Sequence, residues 1–282
     1  MDLVISSDKI GNPLLVELLR KLTESFGRMG REFYVIGATA RDVIMAHHLE
    51  INSIRKTKDL DIAIAIPDWE AFDQIISGLV ADGFTKSKRM HQRFFYGEYE
   101  LDVVPYGPIA KEDDNIYWPP EEDVAMSVKG FSEVLADAIV VSIDGEFDVK
   151  FTPLHGLFLL KFAAWLDRGE MTSKDAEDMS FILSNYFMAN IEREVHPEVY
   201  DREVFDEYVA GAYWLAYDLV TLLSKDQLRF YKNKIEEEIA KEESSKLVNQ
   251  ILDNTYGLKY ETVKDAWQVI ADVFNEVLCK NL

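Results

Sequence analysis

Alternating apolar and polar residues predict several short β-strands in the first half of the chain. The clearest is Leu60-Asp61-Ile62-Ala63-Ile64-Ala65-Ile66, and the shorter β-prone run Tyr34-Val35-Ile36 ends at Gly37. Two further pairs of β-prone runs flank Gly97-Glu98 and Asp144-Gly145-Glu146, whose residue types favour tight hairpin turns. We predict that these strands belong to one mixed sheet.

Two amphipathic helices are predicted beside these strands. Residues 12–31 carry leucines at helical spacing, with Asn12 as the N-cap. Residues 68–80 show the same kind of pattern, and Asp68 is the predicted N-cap. Residues 107–123 are polar, acidic and proline-rich, which predicts a loop or a lid instead of a regular element.

The pattern changes from strands to helices at Leu154. Leu154 to Arg168 is nearly all apolar and predicts a buried helix. Helical spacing then predicts amphipathic helices over residues 204–223, 226–241, 245–252 and 261–280. We therefore expect an α+β protein, with a mixed sheet and flanking helices in residues 1–152 and an all-helical domain in residues 153–282.

Three aspartates on these strands are candidates for a metal site. Asp59 and Asp61 are two residues apart on one strand, so both side chains face the same way, about 7 Å apart at roughly 3.3 to 3.4 Å per residue. Asp102 lies on the second strand of the Gly97-Glu98 hairpin. If that strand pairs beside the first, all three carboxylates face one site. Carboxylate oxygens are the hard ligands that magnesium prefers.

The Gly37 turn is a candidate phosphate site. It joins the strand Tyr34-Val35-Ile36 to a segment with helical character around Asp42. A helix that begins directly after a tight glycine turn directs free backbone N–H groups at one spot, which suits a phosphate.

The net charge of the chain limits the classes of molecule that it is expected to bind. The chain has 282 residues and a formal net charge of −21, which argues against broad, nonspecific nucleic-acid binding. Residues 1–114 hold 14 Lys and Arg against 19 Asp and Glu, a net charge of −5, so the remainder carries −16. The acidic second half is compatible with a cationic acceptor such as an aminoglycoside, or with a basic partner protein.

The single cysteine and the lack of long apolar runs bear on location. Cys279 alone excludes an internal disulfide or a cysteine-based zinc site. No apolar run approaches the roughly 20 residues that cross a bilayer, and residues 1–8 lack a secretory pattern. We expect a cytoplasmic protein that makes no use of a membrane.

The glycine turn and the acidic strands together resemble the nucleotidyltransferase superfamily of the DNA polymerase β type. The matching segments are Gly37-Ala38-Thr39-Ala40-Arg41-Asp42, Thr57-Lys58-Asp59-Leu60-Asp61-Ile62 and Leu101-Asp102-Val103. Within the superfamily, the chain is most similar to minimal nucleotidyltransferases of the AbiEii toxin and antibiotic-modifying kind, and to the catalytic heads of tRNA nucleotidyltransferases. The family's usual Gly-Gly or Gly-Ser is here Gly37-Ala38, followed by Thr39.

This resemblance implies a nucleotidyltransferase-fold sheet and transfer of a nucleoside monophosphate from a nucleoside triphosphate to a hydroxyl-bearing acceptor, with release of pyrophosphate. It implies that Asp59, Asp61 and Asp102 are catalytic and bind two Mg²⁺ ions, with Mn²⁺ as an alternative. The implied nucleotide-binding residues are Gly37, Ala38, Thr39, Arg41 and Lys161. The acceptor stays open among a small molecule, a tRNA and a protein, and an AbiEii-like toxin would add an antitoxin-like protein partner.

Lys161 has two interpretations. Its ammonium either reaches water along an apolar helix or meets a triphosphate, and we favour the second because Lys161 and Arg168, with Lys174-Asp175 and Asp178, resemble a lysine helix and a Lys-Asp-x-x-Asp segment of AbiEii-type enzymes. Asp175 and Asp178 are expected to orient basic partners or to cap the helix after Ser173.

Two basic segments are weaker candidates. Residues 86–93 hold the densest positive charge and either contact the acceptor or phosphate or form a solvated face. Arg55, Lys56 and Lys58 precede Asp59, and a solvated loop is favoured for each. The alternative to an enzyme is a catalytically silent nucleotide-binding or regulatory module, which three neighbouring carboxylates disfavour because they repel one another without cations.

Overall fold

The computed structural model describes residues 3–49, 58–193 and 205–280, which form two compact units, residues 1–157 and 158–282. The point of division lies within the helix Leu154–Arg168. All strands of these described ranges belong to the first unit, and the described part of the second unit is helical. An α+β chain with a mixed sheet followed by helices is therefore present, whereas the predicted boundary at residue 152 stays a prediction.

The first unit is built on an eight-stranded mixed sheet. Its strands and those of a separate two-stranded sheet are β1 (Leu3–Ile5), β2 (Tyr34–Ile36), β3 (Asp59–Ala65), β4 (Thr85–Lys86), β5 (Arg93–Tyr96), β6 (Tyr99–Tyr106), β7 (Asn115–Tyr117), β8 (Ala125–Ser127), β9 (Ile139–Ile143) and β10 (Phe147–Phe151). The order in the large sheet is β1-β9-β10-β2-β3-β6-β5-β4. The pairs β1/β9, β10/β2 and β3/β6 are parallel and the other pairs are antiparallel.

Within the described part of the first unit, five helices accompany these strands. They are α1 (Ser7–Ile10), α2 (Pro13–Met29), α3 (Gly37–Leu49), α4 (Trp69–Ala81) and α5 (Phe131–Ala136). Helix α2 lies against β10 and α4, and α3 lies against β2 and β3. The side chains of β3 that face away from the aspartates, Leu60, Ile62 and Ile64, are all buried, as the alternating pattern predicts.

Both predicted N-caps and both predicted hairpins are confirmed. The side chain of Asn12 accepts a hydrogen bond from the Leu15 N–H at 3.3 Å, and that of Asp68 accepts one from the Ala71 N–H at 2.8 Å. Strands β5 and β6 are joined by Gly97 and Glu98, and β9 and β10 by residues 144–146. The second hairpin extends the large sheet, as expected.

The prediction that residues 107–123 form no regular element is wrong in part. Strand β7 lies within this range and pairs with β8 through Ile116 and Met126. The reason is local alternation, since Ile116 and Trp118 are buried whereas Asn115 and Tyr117 are partly exposed. Strand β1 was also not predicted, because three residues are too few to show a period.

The second unit is a helical bundle. After α6 (Leu154–Arg168), which straddles the division, its helices are α7 (Lys174–Ala189), α8 (Glu207–Leu222), α9 (Lys225–Ile239), α10 (Lys246–Asn254) and α11 (Tyr260–Cys279), with a 3₁₀ turn at Glu242–Ser244. Trp267 lies at its centre, with its ring 5.5 Å from that of Phe158 and 5.1 Å from that of Phe162. Among the described residues, no helix has both the length and the apolar character that crossing a membrane requires.

Candidate active site

The Gly37 turn lies directly against the carboxylate of Asp61. Strand β2 ends at Ile36, and α3 begins at Gly37, whose φ of 69° belongs to the left-handed region. A Cβ atom at position 37 would lie 2.4 Å from Oδ2 of Asp61, so no side chain fits there without moving that carboxylate. Both the backbone conformation and the space therefore require glycine. The predicted arrangement of strand, glycine turn and helix is present.

The predicted carboxylates share one face of the sheet. Strands β3 and β6 pair in parallel, with Asp61 opposite Asp102 and Asp59 opposite Glu100. Register partners on neighbouring strands point to the same side, and their backbones lie about 4.8 Å apart. Asp59 is exposed, and Asp61 and Asp102 are partly exposed. The structure thus brings together Asp59, Asp61 and Asp102, the condition on which the sequence hypothesis depends.

Glu100 is a fourth carboxylate on this face that the sequence analysis did not single out. It lies two residues before Asp102 on β6, so the period of the strand places both on the same side. This two-residue spacing is visible in the sequence and could have identified Glu100 as a neighbour of Asp102. The four acids Asp59, Asp61, Glu100 and Asp102 are hereafter called the acidic face.

Arg93 neutralises part of the acidic face. It lies on β5 directly opposite Asp102 in the antiparallel pair. Its Nε donates to Oδ1 of Asp102 at 2.8 Å and its Nη2 donates to Oδ2 at 2.9 Å, while Nη1 donates to Glu100. The hydrogen bonds to Asp102, followed by the charges of Asp102, Glu100 and Asp59, raise the pKa of Arg93 above its usual value. From the basic segment 86–93, Arg93 thus contacts two carboxylates of the acidic face, Asp102 and Glu100.

The carboxylates of the acidic face provide hard oxygen ligands of the kind that divalent cations prefer. Across residues 3–49, 58–193 and 205–280, no three His, Cys, Asp or Glu side chains are placed to hold one ion. Both oxygens of Asp102 accept hydrogen bonds from Arg93. Asp59 and Asp61 lie on the same side of β3 beside the Gly37 turn, and their carboxylate oxygens have the chemistry that fits a divalent cation.

The other predicted residues of the Gly37 turn have contacts within the protein. The Thr39 hydroxyl donates to the backbone oxygen of Asp59 at 3.2 Å, and the side chain is buried, so it joins the start of α3 to β3. Arg41 is buried and its Nε donates to Oδ1 of Asp42 at 2.8 Å. Ala38 is partly exposed.

Lys161 belongs to an ion-pair network of the second unit. Its Nζ lies 2.6 Å from Oδ2 of Asp178 and 3.6 Å from Oδ1 of Asp175. Asp175 is fully buried and also accepts two hydrogen bonds from Arg168, at 2.7 and 2.9 Å. These bonds raise the pKa of Arg168. Asp175 and Asp178 therefore orient basic partners, the first of the two roles expected for them.

The basic loop before Asp59 is only partly described. Arg55 and Lys56 lie outside the described residues. Lys58 is exposed and donates a hydrogen bond to Glu98 in the β5–β6 turn, which raises the pKa of Lys58. This contact joins the start of β3 to the neighbouring hairpin.

Comparison with known proteins finds only weak structural similarity. No protein-family model matches the chain, and no curated protein matches it. The chain is similar to a crystal structure of ANT(2'')-Ia in complex with adenylyl-2''-tobramycin, with a TM-score of 0.40 and 13% identity over 61% of this chain and 89% of that one. It is also similar to the solution structure of the antibiotic-resistance factor ANT(2'')-Ia, with a TM-score of 0.37 and 12% identity over 63% of this chain and 88% of that one. At these values neither similarity assigns a function, so the function is argued from the residues of the chain itself.

Proposed function

We propose that this protein is a metal-dependent nucleotidyltransferase that transfers a nucleoside monophosphate from a nucleoside triphosphate to a hydroxyl-bearing acceptor. The observation that carries the proposal is the parallel register of β3 and β6, with Asp61 opposite Asp102, beside a glycine turn where a Cβ atom would lie 2.4 Å from Oδ2 of Asp61. A helix start and an acidic cluster in contact combine the two elements that a metal-bound triphosphate needs.

In the proposed reaction, the acceptor oxygen forms a bond to the α-phosphorus while the bond from that phosphorus to the pyrophosphate oxygen breaks. The pyrophosphate leaves with the bonding electron pair, and the hydroxyl proton passes to a base or to water. A divalent cation held by Asp59 and Asp61 would stabilise charge on the phosphate oxygens. Backbone N–H groups at the start of α3 are proposed to bind the triphosphate.

Lys161 is proposed to contact the β- and γ-phosphates, a role that competes with its ion pairs to Asp178 and Asp175. We expect Lys161→Gln to raise the KM for the nucleotide by about tenfold, since losing one charged hydrogen bond costs roughly 1.5 kcal/mol. Steady-state kinetics at saturating acceptor would measure this change.

The double variant Lys161→Gln with Asp178→Asn is the control for the structural role of Lys161. It removes both charges of the 2.6 Å pair, so it leaves no unpaired carboxylate from that pair. If Lys161 binds the nucleotide, the KM stays raised in the double variant. Restoration of the KM together with the thermal stability would show that Lys161 only neutralises Asp178.

A catalytically silent nucleotide-binding or regulatory module is the second candidate. The observation in its favour is the paired hydrogen bonds from Arg93, which supply the acidic face with a cation from within the chain. Incubation with each labelled nucleoside triphosphate, Mg²⁺ and a panel of aminoglycosides, tRNAs and proteins separates the two. Transfer of label to an acceptor supports the enzyme, and nucleotide binding without transfer to any of these acceptors supports the silent module.

The proposal also concerns the chemical class of the acceptor. The acidic second half favours a cationic small molecule over a large RNA, because phosphates are repelled by a field of like charge. A toxin of the AbiEii kind, with an antitoxin-like protein partner, is the alternative that transfer to tRNA in the same panel would support.

A further inference from the structure

We infer that Thr39 is a positioning residue for nucleotidyl transfer, because its hydroxyl holds the start of α3 against β3 and is not available to a phosphate. This inference rests on the proposed function, in which the Gly37 turn and the carboxylates of β3 act on one triphosphate. It differs from the nucleotide-binding role that the family resemblance implies for Thr39.

The hydroxyl of Thr39 has a single proton, and the protein itself already uses that proton. Oγ1 of Thr39 lies 3.2 Å from the backbone oxygen of Asp59. A backbone carbonyl only accepts hydrogen bonds, so the hydroxyl is the donor. The oxygens of an ionised triphosphate are also acceptors, and they would have to take this one proton from Asp59. The side chain of Thr39 is 6% exposed, which leaves little access for a phosphate.

The backbone oxygen of Asp59 points towards β2 but lies beyond the end of the ladder between β2 and β3. Successive carbonyl groups of a strand point to opposite sides, and the preceding one, that of Lys58, accepts a hydrogen bond from an N–H group of β6 at 2.9 Å. The Asp59 oxygen therefore faces β2. The described ladder ends with the pair Ile36 and Asp61, because α3 begins at the next residue of the chain. The Thr39 hydroxyl thus supplies the donor that a longer β2 would have provided.

This hydrogen bond fixes the start of α3 at a second point on β3. The first point is Gly37, where a Cβ atom would lie 2.4 Å from Oδ2 of Asp61, and the second is the bond from Thr39 to Asp59. The two points lie on either side of Ala38 in the first turn of the helix. They hold the proposed phosphate-binding turn at one separation from the carboxylates of β3. A displacement of about 1 Å between reacting groups can lower a rate by about 10²-fold, so this separation matters for the reaction.

The test compares Thr39→Val, which keeps the shape of the side chain without the hydroxyl, with Thr39→Ser, which keeps the hydroxyl. We expect Thr39→Val to lower kcat about tenfold, because the start of α3 loses one of its two fixed points. We expect the kcat of Thr39→Ser to stay within about twofold of that of the unaltered protein. Rates with a labelled nucleoside triphosphate and the acceptor found in the panel would measure both.

Binding of inorganic tripolyphosphate with Mg²⁺, measured by calorimetry, separates positioning from phosphate binding. We expect its Kd to change by less than about twofold in Thr39→Val, because backbone N–H groups at the start of α3 are proposed to bind the phosphates. Circular dichroism would establish that each variant is folded. Thr39→Ala, which also lacks the hydroxyl, tests the same two expectations if Thr39→Val does not fold.

Thr23→Val is the matched control. The Thr23 hydroxyl donates to the backbone oxygen of Leu19 at 2.9 Å on α2, so this variant loses the same kind of hydrogen bond on a different helix. We expect its kcat to stay within about twofold of that of the unaltered protein.

Three results would overturn the inference while leaving the proposed function in place. A raised Kd for tripolyphosphate in Thr39→Val would show that the hydroxyl binds phosphate. An unchanged kcat in the folded Thr39→Val variant would show that the hydroxyl has no positioning role, and an equal loss in Thr39→Ser would assign the effect to packing. Absence of transfer by the unaltered protein to every acceptor of the panel would instead reject the proposed function, and this inference with it.

Discussion

Either substitution, Asp59→Asn or Asp61→Asn, is expected to reduce nucleotidyl transfer by on the order of 10³-fold. Each substitution removes a negatively charged oxygen from the pair of β3 carboxylates that we propose to hold the metal ion. A metal ion supplies several kcal/mol of charge stabilisation to a phosphoryl transition state, and each 1.36 kcal/mol corresponds to a factor of ten in rate. Initial rates with a labelled nucleoside triphosphate and the acceptor found in the panel would measure the loss.

Asp148→Asn is the matched control for these variants. Asp148 is an exposed aspartate on β10 of the same large sheet, and it loses the same charge on substitution. We expect its rate to stay within about twofold of that of the unaltered protein, because surface substitutions away from a site have small effects. Transfer that persists in both Asp59→Asn and Asp61→Asn would contradict the mechanism.

Gly37→Ala is expected to lose transfer activity and to destabilise the first unit. Two costs combine, since alanine is strained at a φ of 69° and its Cβ atom would lie 2.4 Å from Oδ2 of Asp61. A non-glycine residue in the left-handed region costs about 1 to 2 kcal/mol. The displaced Asp61 carboxylate adds to this cost and also alters the proposed metal site. Chemical unfolding together with the labelled-nucleotide assay would separate the two effects.

Gly30→Ala is the control for backbone strain alone. Gly30 ends α2 with a φ of 62°, and nothing lies within 4 Å of the position of a Cβ atom there. We expect Gly30→Ala to lose about 1 kcal/mol of stability without a change in transfer rate. If Gly37→Ala behaves in the same way, the contact between the turn and Asp61 has no part in the reaction.

Residues close together in sequence were sufficient to predict most helices and hairpins of the first unit. The cap residues Asn12 and Asp68 and the turn residues at 97–98 and 144–146 act through neighbours in sequence, and each is found where it was expected. Strand β7 was missed because its alternation covers too few residues to stand out from an acidic, proline-rich segment. Such a short strand forms through its pairing with a neighbouring strand, which for β7 is β8.

In the candidate site as well, some features follow from residues close together in sequence and others from the pairing of distant strands. The side-chain period of a strand placed Asp59 and Asp61 on one face, and would have placed Glu100 beside Asp102. The sequence did not indicate that Arg93 would bind Asp102, because that contact depends on the antiparallel register of β5 against β6. A shift of one residue would have turned Arg93 to the other face of the sheet.

The strand, glycine turn and helix around Gly37, the spacing of the aspartates and the change to helices at Leu154 can all be predicted from the sequence, because each depends on residues close together in the chain. The parallel pairing of β3 and β6 with Asp61 opposite Asp102, and the hydrogen bonds from Arg93 to both oxygens of Asp102, are visible only in the folded chain. Strand pairing joins residues that are distant in sequence, and the register of that pairing decides which charged side chains lie together.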